Sequence, residues 1–145
     1  MLADTLIRVG APGEESSLSV MLIVEDAAAA IAWFRDALGA VVLWDLGGVA
    51  GLQIDGAAFF LHEAVPGRAR ETSPAGARTT TTRIELFLDD PDALLDRASA
   101  AGATEVERAR DHDMPWGIHR QGGFTDPFGH RWSVGDRTPL SPLTM

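Results

Sequence analysis

Phe124-Thr-Asp-Pro-Phe-Gly-His-Arg-Trp-Ser-Val134 carries the strongest structural signal in this chain. Its Asp126-Pro-Phe-Gly129 portion predicts a tight turn, because proline restricts φ and glycine accepts a positive φ. After the turn, polar and apolar side chains alternate from Arg131 to Val134, which is the period of a strand with one buried face. The segment therefore predicts a turn that leads into a C-terminal strand at residues 130–135.

A strand and a capped helix are predicted near the N-terminus. Residues 18–24 alternate so that Val20, Leu22 and Val24 share one face of a strand. Asp26 is placed to cap a helix from about residue 27 to 38, and Gly39 to end it. The side chains expected on the buried stripe of this helix are Ala27, Ala30, Ile31, Phe34 and Leu38.

The same order of elements occurs twice in the chain. Further strands are predicted at 40–45, 49–54 and 57–63, and the second copy has a strand at 82–88, a helix after Asp90, and strands at 104–110, 118–124 and 130–135. The capping aspartates and the closing glycines, Gly39 and Gly102, recur at the same interval to within one residue, which indicates an internal duplication. The sequence therefore predicts an α+β fold of two tandem β-α-β-β-β modules that form a curved mixed sheet around a concave cleft, with helices on the convex face.

Length, charge and cysteine content exclude several classes of protein. The chain has 145 residues, 46% of them hydrophobic, which suits one domain of ordinary soluble composition. A formal net charge of −9 disfavours nucleic acid and anionic membranes as partners, and no apolar run is long enough to span a membrane. The chain lacks cysteine, which excludes disulfides and thiolate-bound metals, and we expect a cytoplasmic protein. The acidic excess either favours a cationic ligand or serves solubility alone.

Three sequence elements together resemble the vicinal oxygen chelate superfamily, which holds glyoxalase I, extradiol dioxygenases, fosfomycin-inactivating enzymes and bleomycin-resistance proteins. They are Leu22-Ile-Val-Glu-Asp26 leading into the Ala30–Ala40 helix end, the Asp126–Gly129 turn, and Pro115-Trp-Gly117 ahead of it. The last element is most similar to the small single-chain members grouped with the bleomycin-resistance proteins. The resemblance covers residues 18–136 and implies a homodimer with clefts shared by two chains.

The expected organisation is an arm at 1–17, a single domain at 18–136 and a tail at 137–145. The domain divides into module one at 18–64, a linker at 65–80 and module two at 81–136. The linker is rich in proline, glycine, serine and threonine, so it is either a mobile connection or an active-site lid. The arm is either loose or adds an edge strand to a partner through Leu6, Ile7 and Val9.

The strand faces opposite the helices are expected to line the cleft. By alternation this surface receives Ser19, Met21, Ile23, Arg83, Glu85, Phe87, Arg131 and Ser133. For strand 57–63, either Ala58, Phe60 and His62 or Phe59, Leu61 and Glu63 point inward, and both alternatives are open. Arg83 and Glu85 either partner each other or meet Arg131 across the sheet.

The resemblance implies three metal-ligand positions on this surface, and the chain departs from the pattern at each. Metal-using members place a histidine in the first strand of each module and a carboxylate in the last strand. This sequence has Ser19, Arg83 and Ser133 at those positions. Because arginine stays protonated and would repel a cation, we expect no metal and no other cofactor.

The expected function is therefore metal-independent binding of a small molecule, such as the sequestration of an antibiotic or a toxic metabolite. The alternatives are a metal-dependent lyase, isomerase or dioxygenase of the same superfamily, and a metal-free enzyme with Glu85 or His62 as general base. We expect a ligand to contact Arg83, Glu85 and Trp116, with further contacts from Trp44, Phe60, His62 and Arg131. Trp132 is expected in the core, and Trp33 either in the core or at an interface.

Overall fold

The duplicated order of elements is present in the computed structural model, which describes residues 15–68 and 70–142. Module one contains strands β1 (Met21–Val24), β2 (Val41–Asp45), β3 (Val49–Ile54) and β4 (Ala57–Glu63), with helix α1 (Ala27–Leu38) after β1. Module two contains β5 (Arg83–Phe87), β6 (Thr104–Met114), β7 (Gly117–Thr125) and β8 (Arg131–Gly135), with helix α3 (Pro91–Ala100) after β5. A short helix α2 (Pro74–Ala77) lies between the modules, and a 3-10 helix (Thr138–Leu140) follows β8.

Each module forms its own four-stranded mixed sheet. The strand orders are β1-β4-β3-β2 and β5-β8-β7-β6, so the last strand of each module lies next to its first strand. β1 pairs with β4 in parallel, as β5 does with β8, and the remaining pairs are antiparallel. The predicted α+β fold of two tandem modules is confirmed. No helix in the described ranges is long and apolar enough to cross a membrane.

The helix boundaries follow from local capping. Asp26 Oδ1 accepts a hydrogen bond from Ala29 N at 3.1 Å, and Asp90 Oδ1 accepts one from Ala93 N at 3.0 Å. Gly39 ends α1 with φ 68°, a left-handed conformation that glycine adopts without steric cost. The predicted range of α1 and all five members of its predicted buried stripe are confirmed.

The hydrogen bond of Glu63 shows which face of β4 is directed towards the helices. Its Oε2 accepts a hydrogen bond from Ala27 N at 3.0 Å, at the start of α1. Phe59 and Leu61 point the same way and are buried. Phe60 and His62 therefore lie on the opposite, open face, because successive side chains of a strand alternate.

One hydrophobic core joins the two modules. Phe34 of α1 and Phe59 of β4 contact the ring of Trp132 from β8, with centroids 5.7 and 5.8 Å away. Phe124 stacks on the same ring at 5.8 Å with an angle of 7° between the planes. Trp33 Nε1 donates to Ala101 O at 2.9 Å and so ties α1 to the end of α3. The expected core position of Trp132 is confirmed, and the partly buried Trp33 packs against the same core.

The Asp126–Gly129 turn is organised around a fully buried carboxylate. Asp126 accepts hydrogen bonds from Phe128 N, His130 N and Trp132 Nε1, each at 2.9 Å. Its Oδ2 also lies 3.1 Å from His130 Nδ1. The other ring nitrogen of His130 donates to Ile23 O at 3.1 Å, so the turn of module two is bonded to β1 of module one.

One strand boundary predicted from the sequence needs correction. The strand predicted to end at residue 110 continues through His112, Asp113 and Met114 as part of β6, which pairs with β7 as far as the Met114–Gly117 pair. This edge strand carries charged side chains on both faces, so the sequence shows no alternation of apolar residues from which its full length could be predicted. Residues 73–78 of the predicted linker form the capped helix α2, and Ala75 N donates to Phe128 O at 3.2 Å. The edge strand proposed around Leu6 to Val9 lies outside the described residues.

Candidate functional site

The open face of module two carries the polar residues predicted from the alternation. Arg83 of β5 is directly opposite Arg131 of β8, and Glu85 is opposite Ser133. On the other side of β8, Gly123 of β7 is opposite Ser133. Phe124 and Trp132 of the same strands point into the core instead. The four residues Arg83, Glu85, Arg131 and Ser133 therefore share one face, as expected.

A cavity of about 250 Å³ lies on this face, and we call it the arginine cavity. The charged and imidazole side chains among its lining residues are Arg83, Arg108, Arg110, Arg131, Glu107 and His112. Gly122 and Gly123 form part of its wall. A Cβ atom on Gly122 would lie 2.4 Å from Glu107 O, and one on Gly123 would lie 3.1 Å from Arg131 Nη2. Glycine at these two positions therefore permits the close approach of β6 and of the Arg131 guanidinium.

Two of the four arginines are held by carboxylates. Arg83 Nε lies 2.5 Å from Glu85 Oε2, which agrees with the first of the two pairings considered for these residues. Arg131 Nη2 lies 2.7 Å from Glu107 Oε1, and its Nη1 donates to Glu105 O at 2.8 Å. Arg108 and Arg110 form no ion pair within residues 15–68 and 70–142. The cavity therefore has more positive than negative groups.

The three positions that the resemblance assigns to metal ligands hold side chains of another chemistry. Ser19 Oγ donates to Ala58 O at 2.5 Å, and the buried Ser133 Oγ accepts from Gln121 Nε2. Arg83 brings a permanent cation to the third position. A catalytic zinc takes three ligands from the protein, supplied by imidazole, carboxylate or thiolate groups. This donor set does not fit a metal, and no group of three or more His, Cys, Asp or Glu suited to one occurs in the described part of the chain.

The open face of module one is apolar and aromatic. Trp44, Gly51, Phe60 and Met21 form one row across strands β2, β3, β4 and β1. A Cβ atom on Gly51 would lie 2.7 Å from Trp44 Nε1, so the indole ring covers the glycine, and it also lies 5.9 Å from the Phe60 ring. Trp44 is 39% exposed and Met21 is 46% exposed. His62 occupies the next position of β4 on the same face.

Trp116 lies apart from the other predicted contacts. It occupies the turn between β6 and β7, 38% exposed, with its ring 6.5 Å from that of His119. His119 is buried, and its Nδ1 lies 2.7 Å from Asp136 Oδ1. Desolvation raises the pKa of Asp136, but hydrogen bonds from Arg120 N, Thr138 and His119 outweigh it and hold that pKa well below its usual range. An ionised Asp136 therefore fixes the start of β7, next to the turn that carries Trp116.

A second cavity, of about 400 Å³, lies where the modules meet, and we call it the junction cavity. Its lining includes the apolar side chains of Leu18, Ile54, Ala58, Ile84 and Leu86. Arg83 and Trp132 line both this cavity and the arginine cavity. The two cavities are therefore neighbours, one mostly apolar and the other rich in cations.

Sequence reasoning missed the β6 contribution to the site. Arg108, Arg110 and His112 line the arginine cavity, yet none was predicted as a contact. The register of β6 against β7 shifts between Thr104 and Glu107 and again between Glu107 and Arg110, so simple alternation fails along this strand. The signal in the sequence was Gly122-Gly123, since paired glycines inside a strand leave room for a neighbouring chain or a ligand.

Comparisons with known proteins agree with this architecture. The family model described as Glyoxalase/Bleomycin resistance protein/Dioxygenase superfamily matches residues 17–134. The uncharacterized Mycobacterium tuberculosis protein Rv0887c is 38% identical over 139 residues, which cover 90% of this chain and 79% of the relative. TioX from Micromonospora sp. ML1 is 27% identical with a TM-score of 0.64, covering 83% of this chain and 98% of TioX. The fosfomycin resistance protein FosX from Mesorhizobium loti, 15% identical with a TM-score of 0.61 over 88% of this chain and 99% of FosX, shows the shared fold alone.

Proposed function

This chain belongs to the Glyoxalase/Bleomycin resistance protein/Dioxygenase superfamily, and from that premise we propose that it binds a small molecule in its cleft without a metal. The observation that carries the proposal is the guanidinium of Arg83, which stands at a ligand position of the metal-using members. Arginine remains protonated at accessible pH and donates hydrogen bonds without accepting any. The hydroxyl groups of Ser19 and Ser133 are already hydrogen-bonded to protein groups. Neither residue therefore replaces the metal ligand that is absent at its position.

The proposed ligand site combines the two open faces. Arg83, Glu85 and Arg131 supply hydrogen-bonding groups, and Trp44 and Phe60 supply flat apolar surface with His62 beside them. Trp116, in the turn of the β6–β7 hairpin, remains a predicted ligand contact. Because the matched family model includes bleomycin resistance proteins, we propose a toxic compound, such as an antibiotic or a metabolite, as the ligand of this chain.

We expect protein purified without an affinity tag to carry no stoichiometric divalent metal. Elemental analysis by mass spectrometry measures the content per chain, and thermal unfolding with and without EDTA measures any dependence on it. We expect the midpoint of unfolding to stay unchanged by EDTA and by added Zn²⁺ or Mn²⁺, because a bound metal would raise it. About one metal per chain, lost with EDTA together with stability, would contradict the proposal and favour a metal-dependent lyase, isomerase or dioxygenase.

We also propose that the chain forms a homodimer through the edge strand β2. The outer edge of module two, β6, is lined with charges such as Glu105, Glu107 and Arg110, which discourage pairing with another strand. β2 is different, because Val41, Leu43 and Trp44 are exposed there, Val41 by 55%. Such an apolar edge is typical of a surface that a second copy covers.

Light scattering at micromolar concentration should therefore report about twice the chain mass of 15.5 kDa. Leu43→Lys should shift the protein towards the monomer, because it places a charge in the proposed interface. Leu140→Lys is the matched control, since Leu140 is 62% exposed in the 3-10 helix and lies outside β2. A monomer in the unmodified protein, or a dimer that both variants leave intact, would refute this arrangement.

A further inference from the structure

The geometry points to an oxyanion as the head group of the ligand: the arginine cavity binds a small molecule that carries a carboxylate or phosphoryl group. This inference rests on the proposed function and names the class of ligand for the same cleft. It departs from the expectation of a cationic ligand that the net charge alone favours.

The local charge of the cavity is opposite in sign to that of the chain. All 12 basic residues of the sequence are arginines, and four of them line this cavity of about 250 Å³ in a chain of formal net charge −9. Glu107 is the carboxylate among the lining residues, and it pairs with Arg131. A cleft in which one sign of charge predominates concentrates ligands of the opposite sign, whatever the net charge of the protein.

The arginines differ in how firmly they are held, and the difference suits a ligand site. Arg131 is 25% exposed in its side chain and is fixed by Glu107 and by Glu105 O, so its guanidinium is oriented before a ligand arrives. Arg110 lies opposite Gln121 on β7 and has no ion-pair partner in the part of the chain that the structure describes. Arg108 also borders a cavity on the helix side of β6, beside Asp92 and Asp96, so it is shared between the two sides.

Guanidinium groups select oxyanions over other ligands of similar shape. Their planar fork donates two parallel hydrogen bonds to a carboxylate or phosphoryl group, and these charge-assisted bonds are stronger than neutral ones. A cation in the same place would meet Arg83, Arg110 and Arg131 as like charges. The cavity therefore favours an anion twice, by attraction and by exclusion of cations.

The junction cavity indicates what the rest of the ligand looks like. It shares Arg83 and Trp132 with the arginine cavity, and apolar side chains such as Ile54 and Ile84 line it. A molecule with its oxyanion near Arg131 and Arg83 can extend an apolar body into this space. The ligand class is thus an amphiphilic anion, with an oxyanion head next to an aromatic or aliphatic body.

Four probes that share one ring test this inference: benzoate, phenylphosphonate, neutral benzamide and cationic benzamidine. NMR titration of the purified protein in EDTA at low ionic strength measures each affinity. We expect the two anions to bind at least about 10-fold more tightly than benzamide, with benzamidine weakest. Comparing benzoate with phenylphosphonate tells which oxyanion the site prefers, and a preference for either supports the inference.

Variants locate the binding. Arg110→Gln and Arg131→Gln should each weaken anion binding by about 10-fold or more, whereas Arg137→Gln should leave it unchanged, because Arg137 pairs with Asp89 outside the cavity. Arg110 is exposed and makes no ion pair in the described ranges, so Arg110→Gln keeps the fold even where Arg131→Gln does not.

Three results would overturn the inference. They are no saturable anion binding, tighter binding of benzamidine than of benzoate, and anion binding that Arg110→Gln leaves unchanged. Benzamide binding that is equal to benzoate binding and insensitive to Arg110→Gln would remove the anion inference but leave small-molecule binding without a metal. Anion binding that depends on Arg110 but accompanies a stoichiometric metal on the untreated protein would keep the inference and refute the metal-free function.

Discussion

Replacing Asp126 with alanine is expected to lower the free energy of unfolding by about 3–5 kcal/mol, because it removes one partner of a fully buried hydrogen-bonded charge network. The carboxylate accepts from two backbone N–H groups and from Trp132 Nε1, and it faces His130 Nδ1. Alanine leaves these donors without an acceptor in a site that water does not reach. Urea unfolding followed by circular dichroism measures the loss.

The matched control is Asp26→Ala. Asp26 is also an aspartate at a turn, but it is exposed and its side chain accepts one backbone hydrogen bond, from Ala29 N. Loss of such a helix cap costs about 1 kcal/mol. Equal losses in the two variants would mean that the Asp126 network adds nothing beyond a local turn. An unfolded Asp126→Ala protein is consistent with the expectation, and Asp126→Asn, which retains one acceptor oxygen, should then fold with an intermediate stability.

Trp132→Ala is expected to lower the free energy of unfolding by about 3–5 kcal/mol, because it opens a cavity where the two modules share their core. The indole is 2% exposed and contacts the rings of Phe34, Phe59 and Phe124. Trp44→Ala removes the same side chain from an open face, where the ring is 39% exposed, and should cost about 1 kcal/mol or less.

Thermal and urea unfolding of the two tryptophan variants separate core from cleft. A loss at Trp44 as large as that at Trp132 would assign Trp44 to the structural core and weaken its place in the proposed ligand site. If Trp132→Ala does not fold, Trp132→Phe keeps most of the packing and leaves only Asp126 without its indole partner, so its smaller loss is measurable.

The fold was predictable because its signals are local. Asp26, Asp90, Gly39 and the alternation around Leu22 act within a few residues of themselves, and the duplicated spacing repeats each signal. Side chains that depend on a partner strand were not predictable in the same way. The orientation of Glu63 needed the position of Ala27 N, which lies in α1 and not in β4.

The candidate site divides along the same line. Arg83, Glu85 and Arg131 lie in regular strands, so alternation places them on the open face without further information. The β6 residues do not lie in a regular strand, because two register shifts interrupt the alternation between Thr104 and Arg110. Glu105 adopts φ 48° within this irregular part. The charge of the arginine cavity depends partly on these β6 residues. The net charge of the whole chain therefore did not indicate the sign of the charge in the cavity.

The bond between His130 and Ile23 has a consequence for how the protein is made. Ile23 leaves the ribosome about a hundred residues before His130, and Phe34 and Phe59 leave it long before Trp132. A nascent chain holding only module one has its aromatic side chains but lacks the ring that covers them. Long-range contacts of this kind form last and slow the final step. Until translation is complete, the aromatic side chains of module one therefore stay partly exposed. In this interval they would be accessible to a chaperone.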